Sequence, residues 1–235
     1  MNIKEQHLDF KIKLNKIDSE QYRNLLVPEI DWLLNRATDL FIKITVFPRY
    51  NPIPGFEKTK RDTEDIKTLV VDNFVLKNPN VENNIYTFDL PEDYLYYVSS
   101  EAEIENNKCG IKKGRIIIRQ HDDDFQNSPF DRSSYEWKII NAVFNENGIA
   151  VYSDNNFTVN KLFLNYIKKF PYIHNAEDFY NNTYTDLNGN VLTGTQDCIL
   201  PEHTHSEIVD IAVLLATQNL QIPDYQIKLN KLKLN

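Results

Sequence analysis

The sequence predicts an α+β protein: a helical bundle formed by N- and C-terminal helices, an inserted antiparallel β domain and extended terminal arms. Three observations carry that prediction. Apolar residues recur at helical spacing from Ile30 to Ile44, the middle of the chain alternates with period two, and an apolar stretch from Ile208 to Ala216 follows a helix-start signal. The boundaries expected are 1–27 for an N-terminal arm, 28–75 with 200–222 for the helical domain, 76–199 for the β domain and 223–235 for a C-terminal arm.

Taken in order, Leu8, Phe10, Ile12 and Leu14 alternate with polar residues and predict a strand. A short helical stretch is expected from Ser19 towards Leu26. Pro28 suits the first turn of a helix, and Ile30, Leu33, Leu34, Ala37, Leu40, Phe41 and Ile44 give that helix one buried stripe. Prolines 48, 52 and 54 forbid its continuation. A second helix is expected over 59–71, with Asp62, Glu64 and Asp65 near its positive end. Strands then follow at 85–90, 94–104, 111–119, 137–144, 149–152 and 157–169, separated by Asn-, Asp- and Gly-rich turns. Thr204-His205-Ser206-Glu207 matches a capping box, in which the Thr and Glu side chains satisfy each other's backbone N–H groups. Pro223 ends the helix that follows, and 225–235 is strand-like with interleaved lysines. Both termini therefore read as amphipathic strands without a local partner, and an unpaired strand recruits other chains. The run Ile12-Lys13-Leu14-Asn15-Lys16 returns as Ile227-Lys228-Leu229-Asn230-Lys231; in a chain rich in these residues, chance is as good an explanation as a repeat.

The chain has 235 residues, a net charge of −8 and 41% hydrophobic residues, enough for a substantial core. The acidic balance argues against tight binding to a phosphate backbone. Cys109 and Cys198 are far apart and lack metal-ligand spacing, which fits free thiols in a reducing compartment. No signal-like core and no run of 18 apolar residues is present, so a soluble, cytoplasmically made protein is expected. His203 and His205 lie beside Glu202 and Glu207, but residues two apart on a helix point about 200° apart, so polar helix-start residues are the better reading. His121-Asp122-Asp123-Asp124 lacks the alternate spacing and central Gly of a calcium loop. His7 and His174 have no evident partner. No phosphate loop, nucleophile elbow or dinucleotide fingerprint occurs, and no catalytic, metal or cofactor site is expected. Tyr94, Tyr96 and Tyr97 could line a sugar- or base-binding face, but alternating aromatics in strands are more often core and cross-strand pairs.

The order of segments adds a further reading. Asp31-Trp32-Leu33-Leu34-Asn35-Arg36-Ala37 leads through the proline loop to Gly55-Phe56-Glu57, then to Arg61-Asp62, Asp65-Ile66-Lys67 and Leu69-Val70. Leu90-Pro91-Glu92-Asp93-Tyr94, Leu164-Asn165-Tyr166-Ile167-Lys168-Lys169-Phe170-Pro171 and Leu200-Pro201-Glu202 with His205 and Glu207-Ile208-Val209 follow. This series, from about Pro28 to Asn219, resembles the head-to-tail connector (adaptor or ring) proteins of short-tailed phages, most closely those of crAss-like phages. The resemblance implies a non-enzymatic virion subunit without cofactor, assembled in the host cytoplasm as a twelvefold ring beneath the portal, with the genome passing through its channel. The partners implied are further copies, the portal and other neck or tail rings. An acidic channel wall would repel the passing duplex. A ring needs a head-to-tail interface that closes, and the candidates for it are Trp32, Arg36, Ile227, Leu229, Leu232 and Leu234. Two rivals are a glycan-binding β module of a phage fibre or surface protein, and a hydrolase whose carboxylates converge only in the fold.

Overall fold

The computed structural model describes residues 1–15, 25–46, 64–120, 128, 130–146 and 148–219. The fold is α+β, and it divides into two compact units, one from the described residues of Met1–Leu69 and Phe170–Asn235, the other from Val70–Lys169.

The first unit corrects the reading of the N-terminus. Residues Ile3–Asn15 form helix α1, not a strand. Asn2 and Glu5 make a reciprocal cap: Glu5 N–H donates to Asn2 Oδ1 at 2.8 Å, and Asn2 N–H donates to Glu5 Oε2 at 2.9 Å. The buried residues are Ile3, Gln6, His7, Phe10 and Leu14, a helical stripe. The alternation misled because polar Gln6 and His7 sit on the inner face while Leu8 and Ile12 face solvent.

Helix α2 spans Val27–Val46 as its periodicity predicts, with Ile30, Leu33, Leu34, Ala37, Phe41 and Ile42 buried. Its start is fixed by Leu26 N–H donating to Glu29 Oε2 at 2.7 Å. The expected helix over 59–71 lies partly outside the described residues. Where it is described, it ends early: Glu64 and Asp65 are helical, Leu69 N–H closes a turn on Ile66 C=O, and Val70 already belongs to a strand. β-branched Val70 and Val71 gain more by joining a ladder than by extending a helix.

The second unit is an eight-stranded sheet made of β1 (Val70–Lys77), β2 (Asn80–Glu82), β3 (Ile85–Phe88), β4 (Tyr94–Asn106), β5 (Gly110–Arg119), β6 (Ile139–Asn145), β7 (Gly148–Tyr152) and β8 (Thr158–Lys168). Its order is β1-β8-β4-β5-β6-β7-β3-β2. Every pairing is antiparallel except β5 with β6, which is parallel, so the expectation of a wholly antiparallel sheet fails at one step. That step is a crossover through 120–138, as a parallel pair requires. Asparagine makes many of the bends: Asn83 and Asn84, both at positive φ (48° and 66°), turn β2 into β3, and Asn73, Asn78 and Asn155 are also left-handed.

The sheet curls on itself. Tyr86 and Phe88 of β3 share one apolar core with Leu162, Leu164 and Tyr166 of β8, together with Ala102, Ile104, Ile140 and Phe157. β3 and β8 stand five positions apart, or about 24 Å if the sheet were flat. Side chains that far apart meet only if the sheet wraps round. The two outermost strands, β1 and β2, are joined by Asn78-Pro79 alone, which brings the sheet's ends near one another.

The chain then returns to the first unit. β9 (His174–Asn175) pairs with β12 (Thr195–Gln196), and between them β10 (Thr183–Thr185) and β11 (Val191–Thr193) form a hairpin. A 3-10 turn at Glu202–Thr204 opens into α3, His205–Asn219, against which α1 and α2 both pack. Thr204 is buried and its hydroxyl donates to the Pro201 carbonyl at 2.8 Å. Ile208, Val209, Ala212, Val213 and Ala216 of α3 are buried.

Candidate functional site

The first unit is organised around a buried carboxylate. Asp31, one turn into α2, is fully buried. Its Oδ1 bonds His7 Nε2 of α1 at 2.7 Å, and its Oδ2 accepts from the Tyr184 hydroxyl at 2.6 Å and from Asn175 N–H at 3.1 Å. One turn later, Asn35 donates to Ile173 C=O at 2.6 Å and accepts from Ile173 N–H at 2.9 Å. Two side chains of one helix thus fix α1, the 173–175 segment and the 183–193 hairpin. A buried charge is tolerable because donors surround it, and removal of the charge or a partner leaves the rest uncompensated. Burial raises the Tyr184 phenol far above its ordinary value, and the bond to Asp31 adds to that, so it remains a donor. Both Asp31 oxygens are taken by donors from the protein itself, so this centre holds the fold and presents no open group to a substrate.

Tyr184 also lines a groove of about 480 Å³, beside Pro28, Trp32 and Leu33 of α2, with Tyr172, Leu187 and Ala216 completing its apolar wall. Leu187 is 85% exposed at the tip of the β10–β11 hairpin. The loop is not slack: Asn188 N–H and Asn190 N–H both donate to Asp186 Oδ1 at 2.8 Å, and Asp186 N–H donates to Asn190 C=O. Desolvation works against the Asp186 charge, but the bonds from Asn190 and Asn188 outweigh it and hold the carboxyl below its ordinary value. The result is an exposed leucine held rigidly next to two acids, Asp186 and Glu29. Together with the partly exposed Trp32, Leu187 gives the groove an apolar mouth.

Of the candidates read from sequence, Trp32 is on this groove and 41% exposed. Arg36 is exposed one turn further along α2, 3.4 Å from Asp39. Ile227, Leu229, Leu232 and Leu234 lie outside the described residues. Leu187 was missed, although a single apolar residue inside Asp186-Leu187-Asn188-Gly189-Asn190 was the available signal. In the second unit, Phe130 and Trp137 of the β5–β6 crossover are 98% and 79% exposed. The rings of Tyr94 and Tyr97 are half-buried: both pack on Phe144, and that of Tyr94 also on Tyr166, against the sheet's core.

Three histidines have ring nitrogens bonded within the protein, His7 to Asp31 and two more around the start of α3. His203 bonds Asp65 at 2.7 Å, and His205 reaches the carbonyls of Met1 and Leu200, both at 2.9 Å. Among the described residues no group of three His, Cys, Asp or Glu side chains could hold a metal ion, and no helix is long and apolar enough to cross a membrane. The chain belongs to the phage tail ring protein 3/4 family, whose model matches residues 1–224. It is therefore a structural protein of a bacteriophage tail ring. No curated protein matches it.

Proposed function

We propose that the chain forms a closed ring in the neck of the virion, beneath the portal, through which the genome passes without specific binding, and that it acts as a structural part with no catalytic role or cofactor. The observation that carries this reading is the tail-ring family match over residues 1–224. In this reading the ring is twelvefold, is assembled in the host cytoplasm and contacts the portal and other rings. The net charge of −8 suits an acidic channel wall that repels phosphates. Trp32 and Arg36 of α2 and the apolar residues Ile227, Leu229, Leu232 and Leu234 of the C-terminal arm take part in the contacts between copies. The exposed groove at Trp32 supports this, because a heterologous ring interface needs a receiving surface and a different donating one. Each copy in this reading has a bundle of N- and C-terminal helices, an inserted β domain and an extended arm at 223–235.

Native mass spectrometry of the purified protein, alone and mixed with its portal, tests the reading. A closed species of about twelve chains, free or on the portal, is the expected result. A monomer that ignores the portal overturns it. A basic channel face in an imaged ring would refute the acidic wall separately.

A further inference from the structure

The groove at Trp32 carries an inference that rests on the ring reading and makes it more specific. We infer that it is the receptor for the C-terminal arm, residues 220–235, of a second copy of this chain. Three observations point there. The groove is apolar where Trp32, Leu33, Tyr172 and Leu187 meet, and its charged lining residues among the described ones, Glu29 and Asp186, are both acidic. The arm has the matching chemistry, with Ile227, Leu229, Leu232 and Leu234 interleaved with Lys228, Lys231 and Lys233 and only Asp224 opposing them. Apolar side chains in the groove and lysines on its acidic rim satisfy both halves of the surface at once.

The third observation is where the arm begins. Ala216 of α3 lines the groove, and the described helix ends at Asn219, so the arm leaves beside the groove's wall. Fully extended, residues 220–235 reach about 50 Å. That is far more chain than is needed to return to a groove which its own helix already borders, and enough to cross to a neighbour. A donor and a receptor side by side on each copy make a head-to-tail contact, repeated until the ring closes. In a closed ring each arm stays close to its neighbour's groove, and that high effective concentration strengthens the contact.

The test uses the full chain with Cys109, the exposed thiol, changed to serine. Leu187→Cys is introduced in one sample and Leu229→Cys or Leu232→Cys in another; Leu187 is exposed, so its replacement leaves the core untouched. The samples are mixed with the portal, oxidised and run without reductant, while native mass spectrometry reports the ring. The expected result is a cross-linked species of two chains in the mixture, and a ladder of higher species from chains carrying both cysteines. A cross-link confined to single doubly substituted chains overturns the exchange, because the arm then fills its own groove. An intact ring with no cross-link overturns the inference and leaves the ring reading standing. Absence of any ring, with or without substitutions, refutes both.

Discussion

The two units solve the problem of a stable interior in different ways. The β unit buries a continuous apolar cluster from Tyr86 to Tyr166, and among its described residues the buried polar side chains are few and small: Ser100, Ser133, Asn141 and Ser153. The helical unit buries Gln6, His7, Asp31, Asn35, Asp65, His174, Asn175 and His205 among its apolar residues. Its segments are far apart in sequence, and the bonds at Asp31 span separations of 24, 144 and 153 positions. An apolar contact would join such segments without fixing their register. A hydrogen bond from a particular donor to a particular oxygen fixes it, at the cost of burying a charge. The difference shows in what each unit presents. The polar unit holds Tyr184 and the hairpin of Leu187 in place beside Trp32, while the apolar unit carries its two most exposed described aromatics, Phe130 and Trp137, on the β5–β6 crossover.

The largest test of this contrast is Asp31→Ala. It strands His7, Tyr184 and Asn175 together, and a loss of about 3–5 kcal/mol is expected in denaturant unfolding, with helicity falling as α1 is released. A loss under about 1 kcal/mol would mean that the polar centre does not hold the helical unit, and the comparison would collapse. In the β unit, Leu162→Ala opens a cavity in the apolar cluster, and about 2–5 kcal/mol is expected by the same measurement. Hydrogen exchange should separate the two variants: the first deprotects 3–15 and 173–185, the second deprotects β4 and β8.

A smaller effect is expected from Gly148→Ala. Gly148 has φ of +145°, and an added Cβ would collide with the Phe88 backbone oxygen across the β3–β7 pair. Neither the angle nor the contact can relax without moving a strand, so destabilisation by more than about 1 kcal/mol is expected, read by thermal unfolding. An unchanged transition would show that this end of the sheet yields freely. The mildest test is alkaline titration. Burial pushes Tyr94 and Tyr166 up to about 12, with the bond to Asp93 adding to the shift at Tyr166. Tyrosines in the unfolded chain ionise near 10, so their contribution is complete below that pH and declines as pH rises towards 12. Phenolate absorbance in the folded protein should therefore show a late-ionising class that merges with the rest in denaturant. A single class near 10 in the native protein would contradict the packing of both rings.

How much was legible follows the range of each interaction. Helix α2 and most of the strands were readable, because periodicity and turn residues act over a few positions. Asparagine-rich turns were also readable, and Asn83-Asn84 use them at left-handed angles. The N-terminal segment was not, although Asn2 and Glu5 carried a cap signal. Its alternating apolar residues gave a period-two pattern, and the deciding residues, Gln6 and His7, are inward because α1 packs on α3 and His7 meets Asp31. The groove was half legible: Trp32 stood out as an aromatic on a helix otherwise read as core, whereas Leu187 became a contact candidate only when the hairpin delivered it there.

By itself, then, the sequence determined the α+β class, the long second helix, most of the strands, the acidic charge and the lack of any motif for catalysis or metal binding, all properties of composition and of neighbours along the chain. Tertiary structure decided that residues 3–15 are helical, that the sheet contains a parallel step and curls round one core, and that Asp31 gathers donors from three distant segments. The physical reason is the same in each case. A local pattern states which faces must be buried, and only the partner on the other side of the interface determines what buries them.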